Sequence, residues 1–150
     1  LVRYIVQRGM DAIHDTMGEQ DATLDYLAIF AKDDTEYSDI ERYLESLGEE
    51  VDKALGKTGR TFILNREIQT LAGPLFAIKI RKPDPTRPQR GAPDFRVKNY
   101  SELKDKFLSS SGNFTLMVRK EYEMMEIKGV DVLVYIPSKS FDERLKENIK

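Results

Sequence analysis

Residues 37–48 read YSDIERYLESLG, and residues 100–112 read YSELKDKFLSSSG. The same opening, Tyr-Ser-acid-aliphatic, returns after 63 positions. In the first copy Tyr37, Ile40, Leu44, Leu47 and Val51 fall at spacings of three and four, which places them on one stripe of a helix. Glu36, Asp39, Glu41, Arg42 and Glu45 take the other side, and Asp33, Asp34 and Thr35 offer capping oxygens ahead of it. Tyr100, Leu103 and Phe107 form the stripe of the second copy. Gly56 and Gly59 end the first helical region, and residues 109–112, SSSG, close the second.

Short apolar runs flank both helices. Residues 24–31, LDYLAIFA, precede the first helix, and residues 94–98, DFRVK, precede the second. Each run begins near an Asp-aromatic pair, Asp25-Tyr26 and Asp94-Phe95. Residues 60–68 and 75–81 follow the first helix; residues 114–118, 121–128 and 130–136 follow the second. These runs are short and rich in β-branched and aromatic side chains, so they read as strands. Between the halves, residues 82–93 (KPDPTRPQRGAP) hold four of the six prolines and must be a loop. The helix repeat is therefore embedded in a repeat of strand–helix–strands, which points to an internal duplication.

The expected fold class is α+β with two tandem βαβββ modules. Residues 1–20 form an N-terminal helical extension of one or two short helices, interrupted by Gly9 and Gly18. The first module spans 21–82, a Pro-rich linker 83–92, the second module 93–137, and a charged C-terminal tail 138–150, where Phe141 and Leu145 are the only large anchors.

Composition narrows the function classes. A net charge of −2 exerts no overall pull toward nucleic acid or anionic lipid. No apolar run reaches the roughly 20 residues that span a bilayer, so no membrane partner is expected. The opening LVRYIVQRGM, interrupted by Arg3, Gln7 and Arg8, does not read as a secretory signal, and a cytoplasmic location is the expectation. Without cysteine there is no disulfide, thiolate metal site or thiol nucleophile. The single histidine, His14, rules out a multi-imidazole metal site and reads as an exposed or structural residue. Tyr122, Met124 and Met125 read as core filling.

The tandem βαβββ plan resembles the vicinal oxygen chelate superfamily, which contains glyoxalase I, bleomycin-resistance proteins and extradiol dioxygenases. LDYLAI (24–29) resembles the superfamily's first strand, commonly I-D-H-I-A-L; IKIRKPDP (78–85) resembles the strand that closes the first module; GAPDFRV (91–97) resembles the opening of the second. The helical extension and the Gly59-Arg60 entry to the middle strands look closest to the YecM-like branch. The resemblance covers residues 22–137 and implies a curved mixed sheet around a pocket. It also implies a metal, with ligands at the positions of Tyr26, Lys79 and Asp94 and a fourth on 132–136. These residue types depart from the superfamily's His, Gln and Glu, so no metal or other cofactor is expected here.

Strand alternation assigns the faces. Leu27, Ile29, Ile78, Ile80, Phe95 and Val97 should pack on the helices, and so should Phe114, Leu116 and Val118. The other face then carries Tyr26, Ala28 and Phe30, Lys79 and Arg81, Asp94 and Arg96, and Thr115, Met117 and Arg119. Tyr26, Phe30, Lys79, Arg81, Arg96 and Arg119 are the candidate ligand-binding residues, with Asp94 the one candidate general acid or base. Four bases around one acid favour a small anionic molecule, a carboxylate or phosphate, that relieves their mutual repulsion. A solvated sheet face with ordinary cross-strand ion pairs is the competing explanation of the same charges.

Other readings stand beside this one. Residues 79–98 carry seven bases against Asp84 and Asp94, a segment that could follow a nucleic-acid backbone, although no RNP-like, KH-like or zinc-finger pattern accompanies it. A metal-dependent lyase, isomerase or dioxygenase of the superfamily with shifted ligands is another. A homodimeric structural role is a third, since the superfamily often builds its pocket across two chains. Whether the chain is an enzyme is left open by its sequence.

Overall fold

The computed structural model of the chain describes residues 1–18, 21–51, 58–108, 114–128 and 131–149. The elements are α1 (Val2–Met17), β1 (Ala22–Phe30), α2 (Asp34–Leu47), β2 (Gly48–Glu50), β3 (Gly59–Thr70) and β4 (Gly73–Arg81), then β5 (Gly91–Val97), α3 (Tyr100–Leu108), β6 (Phe114–Val118), β7 (Glu123–Lys128), β8 (Leu133–Pro137) and α4 (Phe141–Ile149). Gly56, residues 109–112 and Val130, to which sequence assigned turn and strand roles, lie outside the described residues.

The strands form one curved, unclosed mixed sheet in the order β2-β3-β4-β1-β5-β8-β7-β6. Each half is a βαβββ unit with its first strand parallel to its last: β1 beside β4, and β5 beside β8. The halves meet where β1 and β5 pair antiparallel. The repeated Tyr-Ser helices thus belong to repeated topology. Between β4 and β5 the Pro83, Pro85 and Pro88 segment contains neither helix nor strand, but Gly91, Ala92 and Pro93, read from sequence as loop, already pair with β1 as the start of β5.

Burial follows the strand period. Leu27, Ile29, Ile78, Ile80, Phe95, Ile127, Val134 and Ile136 join Ile5, Val6 and Ile13 of α1, Leu44 of α2 and Leu103 of α3 in one core on the outer face. Fully burying each such side chain contributes roughly 1.5–3 kcal/mol. Ala28, Phe30, Ala92 and Leu133 form a second, smaller cluster on the inner face, with Tyr26 and Tyr135 against it. Val118, expected on the packing face, is 71% exposed instead, because it ends the edge strand β6.

Four details differ from the sequence expectation, each for a local reason. The helical extension is one unbroken helix. Gly9 sits inside it because α1 presses on β5: a Cβ there would come within 2.8 Å of Pro93 Cγ and 2.9 Å of Phe95 Cε2. Arg8 and Tyr4 also fasten this helix to Asp131, Arg8 Nε at 3.1 Å. Helix α2, capped by the Asp33 carboxylate on the Glu36 N–H at 2.8 Å, stops at Leu47 rather than Val51. Residues 48–50 instead pair with β3, and Gly48 lies so close to the Ile63 carbonyl that an added Cβ would be 2.1 Å from its oxygen.

The repeated Asp-aromatic pairs do not occupy matching faces. The register of β1 on β5 shifts between Leu24, opposite Phe95, and Tyr26, opposite Asp94. Asp25 is therefore an extra residue in a bulge. Tyr26 faces inward, whereas Phe95 is fully buried in the outer core. Lastly, the stretch read as a charged tail contains a helix. Ser140 and Glu143 cap its start reciprocally: Ser140 Oγ accepts from the Glu143 N–H at 3.1 Å, and Glu143 Oε1 faces the Ser140 N–H at 3.5 Å.

Candidate functional site

Four strands converge on the inner face where the halves meet. Ala28 lies beside Lys79 of β4 on one side and Ala92 of β5 on the other; Phe30 lies beside Arg81, Tyr26 beside Asp94, and Asp94 beside Tyr135 of β8. Two neighbouring alanines leave room where larger side chains would fill the surface. The result is a pocket of about 160 Å³ with an alanine floor, Tyr26, Phe30 and Tyr135 as aromatic walls, and Lys79, Arg81, Asp94 and Arg144 as its charged groups. A larger cleft of about 630 Å³ runs along α1 past Asp11, His14 and Asp21. Those three ionisable side chains are exposed, whereas the sheet pocket holds charge under partial burial.

The pocket gathers Tyr26, Phe30, Lys79, Arg81 and Asp94 from the residues singled out in the sequence. Arg96 shares the face of Asp94 but sits opposite Thr23 near the start of β1, where it is exposed to solvent. Arg119 is exposed beyond the end of β6, at the far edge of the sheet. Met124 lines the pocket, so it is not simply core; Met125, one residue on, is fully buried in the outer core.

Arg144 was not foreseen. It enters from α4, which stacks Phe141 on Tyr26 with centroids 4.7 Å apart and planes 9° from parallel. The bulged Asp25 accepts the Phe141 N–H at 2.6 Å, so the irregularity in β1 also anchors the helix start. The Ser140-Phe141-Asp142-Glu143 sequence is a capping-box pattern and could have revealed α4; nothing in the sequence marks where Arg144 would point.

The charges fall into two groups. Arg144 Nη2 donates to Asp94 Oδ2 at 2.9 Å, with both side chains largely buried. Burial pushes the Asp94 carboxyl up to about 6, and Arg144 only partly opposes this. On the other side, burial and then the neighbouring Arg81 hold the Lys79 ammonium below its usual pKa. Lys79 Nζ donates to Thr58 Oγ1 at 2.7 Å and pairs with no carboxylate among the described residues. The Arg81 guanidinium lies over the Phe30 ring at 5.2 Å, and its acid, Asp84, is 3.8 Å away. Burial raises the phenols of Tyr26 and Tyr135, so both serve as neutral hydroxyls.

Among the described residues no three His, Asp or Glu side chains cluster as a metal would require. No described helix is long and apolar enough to cross a membrane. The chain matches no family model and no curated protein. It is similar to a solved structure described as Structural Genomics, Protein EC4020, at 12% identity and a TM-score of 0.72, over 97% of this chain and 90% of that one. At that identity the likeness concerns the fold.

Proposed function

We propose that the chain is a divergent member of the vicinal oxygen chelate superfamily that binds a small anionic metabolite, a carboxylate or phosphate, in the inner-face pocket. The observation that carries this reading is the pair Lys79 and Arg81. Two cations one strand-repeat apart are held under partial burial over an alanine floor; Arg81 pairs loosely with Asp84 at 3.8 Å, and Lys79 pairs with no acid among the described residues. Repulsion between them falls when an anion enters. Arg81 offers a planar fork for two oxygens, and Lys79 a point charge. A volume of about 160 Å³ suits a compound of a few heavy atoms, its carbon portion against Phe30 and Tyr26.

The tandem βαβββ order supports the superfamily assignment. Its metal does not fit these residues. The first three ligand positions are Tyr26, Lys79 and Asp94, and the inward residue of the last strand beside Asp94 is Tyr135. A divalent cation would meet an ammonium, two phenols kept neutral by burial, and one carboxylate already paired with Arg144. The basic 79–98 segment gives less support to a nucleic-acid role. Arg81 faces Asp84, Arg90 Nη2 donates to both Glu36 carboxylate oxygens at 2.9 and 3.0 Å, and Lys98 pairs with Asp21 at 2.7 Å.

Thermal unfolding in the presence of phosphate, citrate and pyruvate tests the reading, because a ligand that binds only the folded chain raises its melting temperature. Stabilisation by at least one anion is expected. It should disappear in Lys79→Ala and Arg81→Ala and persist in Arg96→Ala. No response to any anion, or an equal response in all four proteins, would overturn the reading. Stoichiometric zinc, nickel or iron in the purified protein would overturn its metal-free part.

A further inference from the structure

Resting on the anion-binding reading, we propose that Lys79 is a nucleophilic amine that condenses with the carbonyl group of a short 2-oxo acid whose carboxylate is held by Arg81. The geometry carries the assignment. Lys79 and Arg81 alternate along β4, so both project to the inner face and line the same pocket. The ammonium has no carboxylate partner among the described residues; its hydrogen bond goes to a hydroxyl, Thr58 Oγ1, at 2.7 Å. A carboxylate partner would hold the amine charged, whereas a hydroxyl does not. Arg81, fixed over Phe30 at 5.2 Å, is placed to receive the anionic end of the same small molecule. Burial beside a second cation also lowers the ammonium's pKa, the direction that favours the neutral, nucleophilic amine.

The condensation balances with groups already in the pocket. The Nζ lone pair of neutral Lys79 attacks the carbonyl carbon, and the carbon–oxygen π pair moves to oxygen. A proton transferred from nitrogen to oxygen, through water, gives a neutral carbinolamine. The carboxyl of Asp94, which lines the same pocket, supplies the proton with which the hydroxyl departs as water. The nitrogen lone pair then forms the carbon–nitrogen double bond of a protonated imine. Asp94 is left as a carboxylate beside Arg144, whose Nη2 is 2.9 Å away, and no oxidant, reductant or further reactant is consumed. The neutral hydroxyls of Tyr26 and Tyr135 border the pocket without competing as bases.

The test is reductive trapping. The full chain is incubated with pyruvate and cyanoborohydride, and labelled positions are read by peptide mass mapping. The expected result is one adduct per chain at Lys79, formed faster than at the exposed Lys82 and absent from Lys79→Met. Arg81→Met should slow trapping by pyruvate to the rate seen with acetone, which lacks the carboxylate. Phosphate should protect Lys79, and trapping should pass through a maximum with pH, because the amine must be neutral while the Asp94 carboxyl keeps its proton. Labelling at Lys79 no faster than at Lys82, with phosphate still stabilising the fold, would overturn the amine chemistry and leave anion binding standing. Failure of both would remove both.

Discussion

In the first half of the sheet β4 offers Lys79 and Arg81 to the inner face; Arg81 meets only Asp84, at 3.8 Å, and Lys79 meets no carboxylate among the described residues. In the second half β5 offers Asp94, and the chain continues past β8 into α4, which folds back and meets Asp94 with Arg144 at 2.9 Å. The two halves share a strand order, yet one closes a buried ion pair on its inner face and the other leaves Lys79 bonded only to a hydroxyl among the described residues. Topology alone therefore does not place the ligand. An added anion would gain most beside Lys79, whereas the Asp94–Arg144 pair holds stability in the second half.

The largest effect should come from breaking the internal pair. Asp94→Ala leaves the Arg144 guanidinium buried without its partner, a change that typically costs about 3–5 kcal/mol. Urea unfolding measures it. Lys79→Ala, by contrast, relieves repulsion with Arg81 and should leave stability unchanged or raise it. A double substitution of Asp94 and Arg144 by leucine and methionine should recover most of the loss, since neither charge then remains buried alone. Equal losses in Asp94→Ala and Lys79→Ala would erase the distinction between the halves.

A pH series sharpens the same contrast. The Asp94 carboxyl ionises at about 6 when folded, against 3.8 for an ordinary aspartate. Between those values the folded chain holds a proton that the unfolded chain has released. The contribution of Asp94 to stability therefore rises as pH falls through this window, on the order of 2–3 kcal/mol. Asp131 and Glu123 act in the opposite sense: Tyr4 and Lys104 are their leading partners and hold them below their usual range, so they lose stabilisation as pH drops further. Subtracting the Asp94→Asn profile from the parent profile isolates the first effect. A difference that stays flat between pH 7 and 4 contradicts the assignment.

Ala28→Leu addresses the floor between the halves. The added carbons project into the space bounded by Ala92, Lys79 and Asp94, with an overpacking cost of about 1–3 kcal/mol. Every charge remains in place, so loss of the phosphate-induced melting shift in this variant assigns binding to the cavity itself. A retained shift assigns it to exposed cations at the rim.

Periodicity made most of this legible. Apolar alternation in 24–31, 75–81 and 94–98 fixed which side chains face inward, and five singled-out residues do meet there. Alternation is a statement about faces, however, not about position along a strand. It assigned Arg96 to the right side of β5 but could not place it beyond the pocket's rim, and it was extended to Arg119 past the end of β6. The bulge at Asp25 was hidden because a bulge depends on the partner strand's register. Helix α4 was hidden by composition: a short charged segment with two apolar anchors buries little by itself, and Phe141 becomes an anchor only against Tyr26.

That dependence makes the start of α4 a sensitive place to probe with a small change. Ser140→Ala removes the hydroxyl that accepts the Glu143 N–H and should cost about 0.5–2 kcal/mol. Because Asp25 still accepts the Phe141 N–H at 2.6 Å, the helix should remain docked and the loss should fall at the low end. Adding Asp25→Asn weakens the second anchor, and the loss in the double variant should exceed the sum of the two single losses, since either anchor alone can hold the first turn. Amide exchange across 141–146 reads this directly. Strict additivity would mean that the cap and the bulged aspartate act independently, and that the Asp94–Arg144 pair alone keeps α4 over the second half of the sheet.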